Sequence, residues 1–243
     1  MVFGFCVENG SELPENDPQG KFKGRVVFRG SQVRDEDHYM ATFQDLGSAL
    51  ASMASGKFSD FMGLLPNWCL MQADAVRAYT QALLQGMVTW IRLPRDQWSA
   101  HWHGMKDPVC RLRLALYGHP DAEGFWDNHC EQQLFRVGFV VADEIWRSCY
   151  WHPELHLFLV VYVDDFKMSG PKESLKVGWQ KLKKHITFQE DPGPPGLFLG
   201  CMHRRFDIPH PKYPKDKTKK IKVMEYSMEN QMRQAVDLYK ELA

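Results

Sequence analysis

Hydrophobic and polar positions along this chain follow two rhythms, one of period two and one near 3.6. Residues 22–29 alternate, with Phe22, Val26 and Phe28 on one side and Lys23, Arg25 and Arg29 on the other. That pattern predicts a half-buried strand with a basic face. Residues 109–117 alternate in their first half, and 89–94 form a shorter candidate. The longer rhythm appears at Phe43, Leu46, Leu50 and Met53, predicting a helix over 43–65 interrupted near Gly56. It returns at Val76, Tyr79, Leu83 and Leu84 before Gly86, and at Trp126, Cys130, Leu134 and Val137 before Gly138. Glycine at such a position is a common helix stop. Leu175, Trp179, Leu182 and Ile186 predict a helix over 172–186. Met232, Val236 and Tyr239 predict another over 227–243, with Ser227 as its cap. Residues 139–150, 197–202 and 220–226 add strands, the last two as partners. Turn-rich segments lie at 12–20 and 191–196. Helices and strands mix without strict alternation, so the expected class is α+β.

One stretch breaks both rhythms. Residues 155–163 are almost wholly apolar and lead directly into Asp164 and Asp165. A run apolar on both faces predicts a fully buried strand, pairing back as a hairpin on 139–150. Adjacent carboxylates at its end are either an ordinary polar turn or one side of a cation site, because burying two like charges is costly without a compensating cation. Asp74 is a second carboxylate at a predicted strand end, and an N-cap role would explain it alone. If the two strands are neighbours, three carboxylates converge. Hard oxygen ligands select Mg²⁺ or Mn²⁺, and a pair of such ions suits in-line phosphoryl transfer.

Composition narrows the field only a little. The chain has 243 residues, 44% hydrophobic and 13% aromatic, enough for a real core in one large domain or two lobes. Lys plus Arg balances Asp plus Glu at 30 each, so net charge names no partner. Basic residues cluster early (Lys21, Lys23, Arg25, Arg29, Arg34) and late (Lys212, Lys215, Lys217, Lys219, Lys220, Lys222), as phosphate contacts or as solvated surface. The six cysteines form no CxxC pair. Cys149 with His152 and Cys201 with His203 lack the partner pair a zinc site needs, so free thiols are expected. No signal peptide opens the chain, and no apolar stretch of about 18 residues could cross a membrane. An intracellular location with reduced cysteines is expected.

An ordered set of motifs then carries a resemblance. Tyr162-Val163-Asp164-Asp165 after its apolar run resembles the YxDD box of reverse transcriptases. The segment Lys23 to Gly30 resembles the basic fingers strand of the copia-type LTR retrotransposon polymerases, and Gln72 to Tyr79 resembles their first carboxylate box. Val109 to Gly118, with Trp126 downstream, resembles their template and nucleotide box, and Phe198-Leu199-Gly200 their primer-gripping strand. Together these cover roughly residues 20–205 in the family's order.

The resemblance implies an RNA-directed DNA polymerase joining deoxynucleoside triphosphates to a primer 3′-hydroxyl through two Mg²⁺ ions, with Mn²⁺ as an alternative. Asp74, Asp164 and Asp165 would hold the metals and be catalytic. Lys23 and Arg25 would meet the triphosphate, and Tyr79 would gate the sugar, unless it is simply a core aromatic. Tyr117, Gly118 and Asp121 would line the nucleotide pocket, and Leu199 and Gly200 would lie at the primer. The implied fold is a right-hand palm, a ferredoxin-like antiparallel sheet with helices on one face, plus fingers and a truncated thumb. Its expected domains are fingers over 1–66 with part of 87–108, palm over 67–206, and the start of a thumb over 207–243. Implied partners are an RNA template and a DNA primer, with no membrane, in a cytoplasmic particle or the nucleus. Integrase, protease and ribonuclease H regions of such a polyprotein would lie outside this chain. One box departs from the family: LYGLKQAPRAW becomes Leu116 to Trp126 with Asp121 at the Gln position and Glu123 and Gly124 at the Pro and Arg positions. A catalytically inactive, retrotransposon-derived chain that folds and binds nucleic acid is therefore the alternative.

Overall fold

A computed structural model describes residues 2–9, 21–41, 43, 51–213, 216 and 218–242. The turn-rich 12–20 segment and the first part of the expected 43–65 helix fall outside them. In chain order the strands begin with β1 (Val2–Asn9), β2 (Lys21–Phe28), β3 (Trp68–Asp74), β4 (Trp90–Ile91), β5 (Cys110–Arg111) and β6 (Val140–Val141). They continue with β7 (Cys149–His152), β8 (Leu157–Tyr162), β9 (Asp165–Pro171), β10 (Leu197–Phe198), β11 (Cys201–Pro209) and β12 (Lys220–Ser227). The helices are α1 (Met53–Leu64), α2 (Ala122–Arg136), α3 (Lys172–Leu182) and α4 (Glu229–Leu242). The class is mixed α and β with antiparallel sheets. The chain divides into two units, Met1–Ser48 with Arg77–Cys130, and Ala49–Val76 with Glu131–Ala243.

In the first unit the period-two pattern holds only at the end of β2: Phe28 is buried, whereas Phe22 and Val26, expected on the same inner face, are exposed. β1 and β2 pair antiparallel with Val2 opposite Phe28. Those two bury with Ile91, flanked by Leu93, Cys110, Leu112 and Leu116, while Lys23 and Arg25 stay exposed. The expected 109–117 strand shortens to β5, paired with β4. Beyond it the chain changes partner, and Leu114 bridges to Leu83 instead. The helix expected after Asp74 reduces to a single 3-10 turn at Ala78–Gln81: Arg77 just before it takes a left-handed φ of 49°, and Ala82 just after it is extended.

The second unit is built on a five-stranded antiparallel sheet in the order β3-β9-β8-β7-β6. Strands β8 and β9 are buried along nearly their whole length. Strands apolar on both faces need cover on both, so helices flank this sheet on either side. That differs from the single helical layer the resemblance implied. On one face α1 lies close enough that a Cβ on Gly63 would meet Leu70 Cβ at 2.7 Å. On the other, α3 buries Leu175, Trp179 and Leu182, and the rings of Trp179 and Phe166 both meet Phe188 edge-on. A Cβ on Gly178 would fall 2.4 Å from Leu157 Cδ1 and 3.1 Å from Met168 Sδ. Gly178→Ala is therefore expected to cost about 1–3 kcal/mol by overpacking, read from urea denaturation.

Helix α1 runs unbroken through Gly56, where an interruption was expected. The glycine serves packing rather than breakage: a Cβ there would lie 2.9 Å from the Phe198 ring. α2 keeps the predicted stripe, with Trp126, Cys130, Leu134 and Val137 buried, and Gly138 follows at φ +100°. The expected 197–202 strand breaks at Leu199 and Gly200, and residues 203–209 of β11 pair with 220–226 of β12 instead; the Ser227 hydroxyl accepts from the Glu229 amide at 3.4 Å, just before α4. All six cysteines are free. Among the described residues, no helix is long and apolar enough to cross a membrane.

Candidate active site

The apolar run becomes β8, and its charged end becomes a two-residue hairpin turn. Tyr162 faces Asp165 across the turn, with Val163 and Asp164 between them. On the other side of β9, Asp165 stands directly opposite Asp74 at the end of β3. Cross-strand partners share a face, so Tyr162, Asp165 and Asp74 form one row across three strands. The backbone around this row is held at several points. The Ala75 amide donates to the Asp164 carbonyl at 2.7 Å, and the Gln189 amide donates to the Asp74 carbonyl at 2.8 Å. The N-cap explanation for Asp74 lapses, since the turn that follows has Arg77 at its cap.

Val163 sits in the turn at φ +54°. A β-branched residue there carries backbone strain of roughly 1–3 kcal/mol, the kind found at functional sites. Val163→Asn, which tolerates that region, is expected to raise stability by about 1 kcal/mol in the same urea assay.

Asp165 has an abnormal ionisation. Burial, the charges of Asp74 and Asp164, and a side-chain hydrogen bond with Asp74 push its carboxyl up to about 7, against the pull of Lys167. The Asp165 carboxyl therefore keeps its proton more readily than an ordinary one, since two like charges in contact resist joint ionisation. A divalent cation would relieve the same repulsion. Among the described residues, no three His, Cys, Asp or Glu side chains are grouped to hold one metal ion. Asp74, Asp164 and Asp165 therefore do not form a closed three-ligand cage in this conformation. The donor set nevertheless fits Mg²⁺, which binds through one or two carboxylates and completes its octahedron with water and substrate phosphates.

Directly behind the carboxylates lies a group that the sequence pattern did not single out. Lys167, two residues after Asp165 on the same face, is fully buried and donates to Asp60 Oδ1 of α1 at 2.7 Å. His203 Nδ1 of β11 lies 2.8 Å from both Lys167 Nζ and Asp60 Oδ2. The Tyr226 hydroxyl of β12 donates to Asp60 Oδ2 at 3.1 Å. Burial pushes the Asp60 carboxyl up, but the His203 hydrogen bond and the Lys167 charge outweigh it and hold it below its ordinary range. Burial pushes the Lys167 ammonium down despite Asp60. The one available signal was a lone lysine inside the apolar run Phe166-Lys167-Met168.

The remaining candidates divide between the units. In the second, Leu199 and Gly200 form the turn between β10 and β11, at φ 50° and 72°. Leu199 packs on the cluster of Phe158, Val160 and Phe198, on the same sheet face as Asp165. In the first unit, the rings of Tyr79 and Tyr117 lie 4.5 Å apart, and the Phe28 amide donates to the Tyr117 carbonyl at 2.7 Å. Gly118, at φ +85°, has no room for a Cβ, which would fall 2.2 Å from the Phe28 carbonyl oxygen. Tyr79, Tyr117 and Gly118 thus gather at the end of β2, whereas Lys23 and Arg25 stand exposed earlier on that strand. Asp121, immediately before α2, has a buried Oδ1 without a hydrogen-bond partner.

No protein-family model matches the chain. It is 26% identical over 155 residues, 62% of its length, to the retrovirus-related Pol polyprotein from transposon RE2 of Arabidopsis thaliana, and spans 10% of that protein. Among solved structures it is similar to telomerase from Candida albicans in complex with a TWJ fragment of telomeric RNA. That likeness has a TM-score of 0.32 at 13% identity, over 66% of this chain and 34% of the other. It is too slight to assign the fold. The Pol match supports an origin in a retrotransposon Pol polyprotein.

Proposed function

We propose that the chain is the RNA-directed DNA polymerase part of a copia-type Pol polyprotein, extending a primer 3′-hydroxyl with deoxynucleoside triphosphates on an RNA template. The observation that carries the reading is the in-register Asp74–Asp165 pair beside the Asp164 turn. In this reading the sheet of the second unit is the palm, β1 and β2 belong to the fingers, and 207–243 begins a thumb.

Asp74 and Asp165 would hold divalent cations, with Asp164 adding its charge. Bound Mg²⁺ would supply Lewis acidity, lowering the pKa of the attacking hydroxyl and offsetting charge on the leaving pyrophosphate. The chain's own residues orient the reactants. Leu199 and Gly200 would place the primer end, Tyr79 and Tyr117 the sugar and base, and Lys23 and Arg25 the triphosphate, which suits a bidentate guanidinium.

A second reading, a folded nucleic-acid binder without catalysis, draws on Asp121, whose unpartnered carboxylate oxygen stands where the family carries a neutral amide. Primer extension on an RNA template with Mg²⁺ tests both. The first reading expects incorporation of deoxynucleotides. Salt-sensitive primer-template binding without incorporation would favour the second.

A further inference from the structure

On the α1-facing side of β9, three inward residues follow one another: Asp165, Lys167 and Ser169. The second and third are both tied to α1. Lys167 donates to Asp60, and the Ser59 hydroxyl donates to the Ser169 hydroxyl at 3.2 Å. The same Asp60 receives Tyr226 and meets His203, so α1, β9, β11 and β12 all close on one carboxylate. Lys167, Asp60 and His203 are fully removed from water, and the Lys167 ammonium also lies 4.3 Å from the Phe198 ring centre. Opposite Lys167 on β3 stands Gln72, the inward neighbour of Asp74. Its amide donates to the Leu197 carbonyl at 3.1 Å. Both carboxylates therefore have, one step back along their own strands, a polar side chain anchored to the β10–β11 side of the unit.

A buried ion pair is weak evidence for stability, because apolar residues of similar volume often do as well or better. What directional bonds to four elements supply is geometry. We propose that Asp60, Lys167, His203 and Tyr226 are positioning residues. They fix where Asp165 stands relative to Asp74, and so set the affinity of that pair for a divalent cation. The proposal rests on the reading of the pair as a cation site. Partners that orient metal-binding side chains typically change metal affinity by about 10–100-fold when lost.

The test is Mn²⁺ binding to the full chain, followed by electron paramagnetic resonance of the free ion, with thermal melting alongside. The variants are Asp165→Asn and the double variant Asp60→Asn/Lys167→Met. The latter removes both charges, keeps an oxygen for Tyr226 and fills the lysine channel. Wild-type binding is expected to depend on Asp165. The double variant should melt cooperatively within about 5 °C of wild type, yet bind Mn²⁺ at least about tenfold more weakly. Wild-type affinity in the double variant, with binding still lost in Asp165→Asn, overturns the positioning role and leaves the cation reading intact. Binding indifferent to Asp165→Asn overturns the cation reading and the proposal with it. If the double variant does not fold, Tyr226→Phe carries the test. Deleting that hydroxyl at the rim should weaken Mn²⁺ binding by about tenfold, and an unchanged affinity sinks the proposal.

Discussion

Asp165→Asn is expected to reduce Mg²⁺-dependent primer extension by at least about a thousandfold while making the metal-free protein more stable. The two effects share one cause. In the folded chain Asp165 is crowded by burial and by Asp74 and Asp164, and its pKa rises from 3.8 to about 7. A raised carboxyl pKa means that the folded state holds its proton more tightly than the unfolded chain. Stability from this group is therefore present at low pH and is lost as pH rises through about 7. An amide cannot ionise, so the variant escapes that loss. Its Tm at pH 8 without metal should exceed wild type by on the order of 5 °C, and the gap should close toward pH 5. Catalysis fails because a neutral amide is a poor anionic ligand for a hard cation. Calorimetry across pH and primer extension check the two halves separately. A variant that is both less stable at pH 8 and fully active would contradict the site.

Lys167→Met alone is expected to be the most damaging single change to folding. It leaves Asp60 ionised and buried without its ammonium, at a cost of about 3–5 kcal/mol, a fall in Tm of roughly 10 °C. Adding Asp60→Asn should restore most of that loss, since the unpaired charge is then gone as well. A single variant as stable as wild type would mean that the ion pair contributes nothing to this fold. Chemical denaturation of the single and double variants, analysed as a double-mutant cycle, gives the coupling directly.

The contrast between these residues explains what could be read from the sequence. Asp164 and Asp165 were legible because nine nearly apolar residues end on two charges, a pattern local in the chain and hard to explain as core. Asp74 was legible as a strand end for the same reason, and the register then set it opposite Asp165. Lys167 was not. Its partners Asp60 and His203 are 107 and 36 residues away, and only the packing of α1 and β11 on the sheet brings them to it. Gly56 misled because glycine breaks helices in isolation, while here it admits the Phe198 ring. The alternation of 109–117 promised a longer strand, but periodicity says nothing about a chain that exchanges one partner for another partway along. The helix expected after Asp74 failed at Arg77, whose left-handed backbone no side-chain pattern announces.

In the proposed reading Asp74 and Asp165 together hold a divalent cation. Crystals soaked in Mn²⁺ and measured at the manganese absorption edge test it most directly. An anomalous peak beside the Asp74 and Asp165 carboxyls is expected. No peak there at saturating Mn²⁺ would contradict that reading.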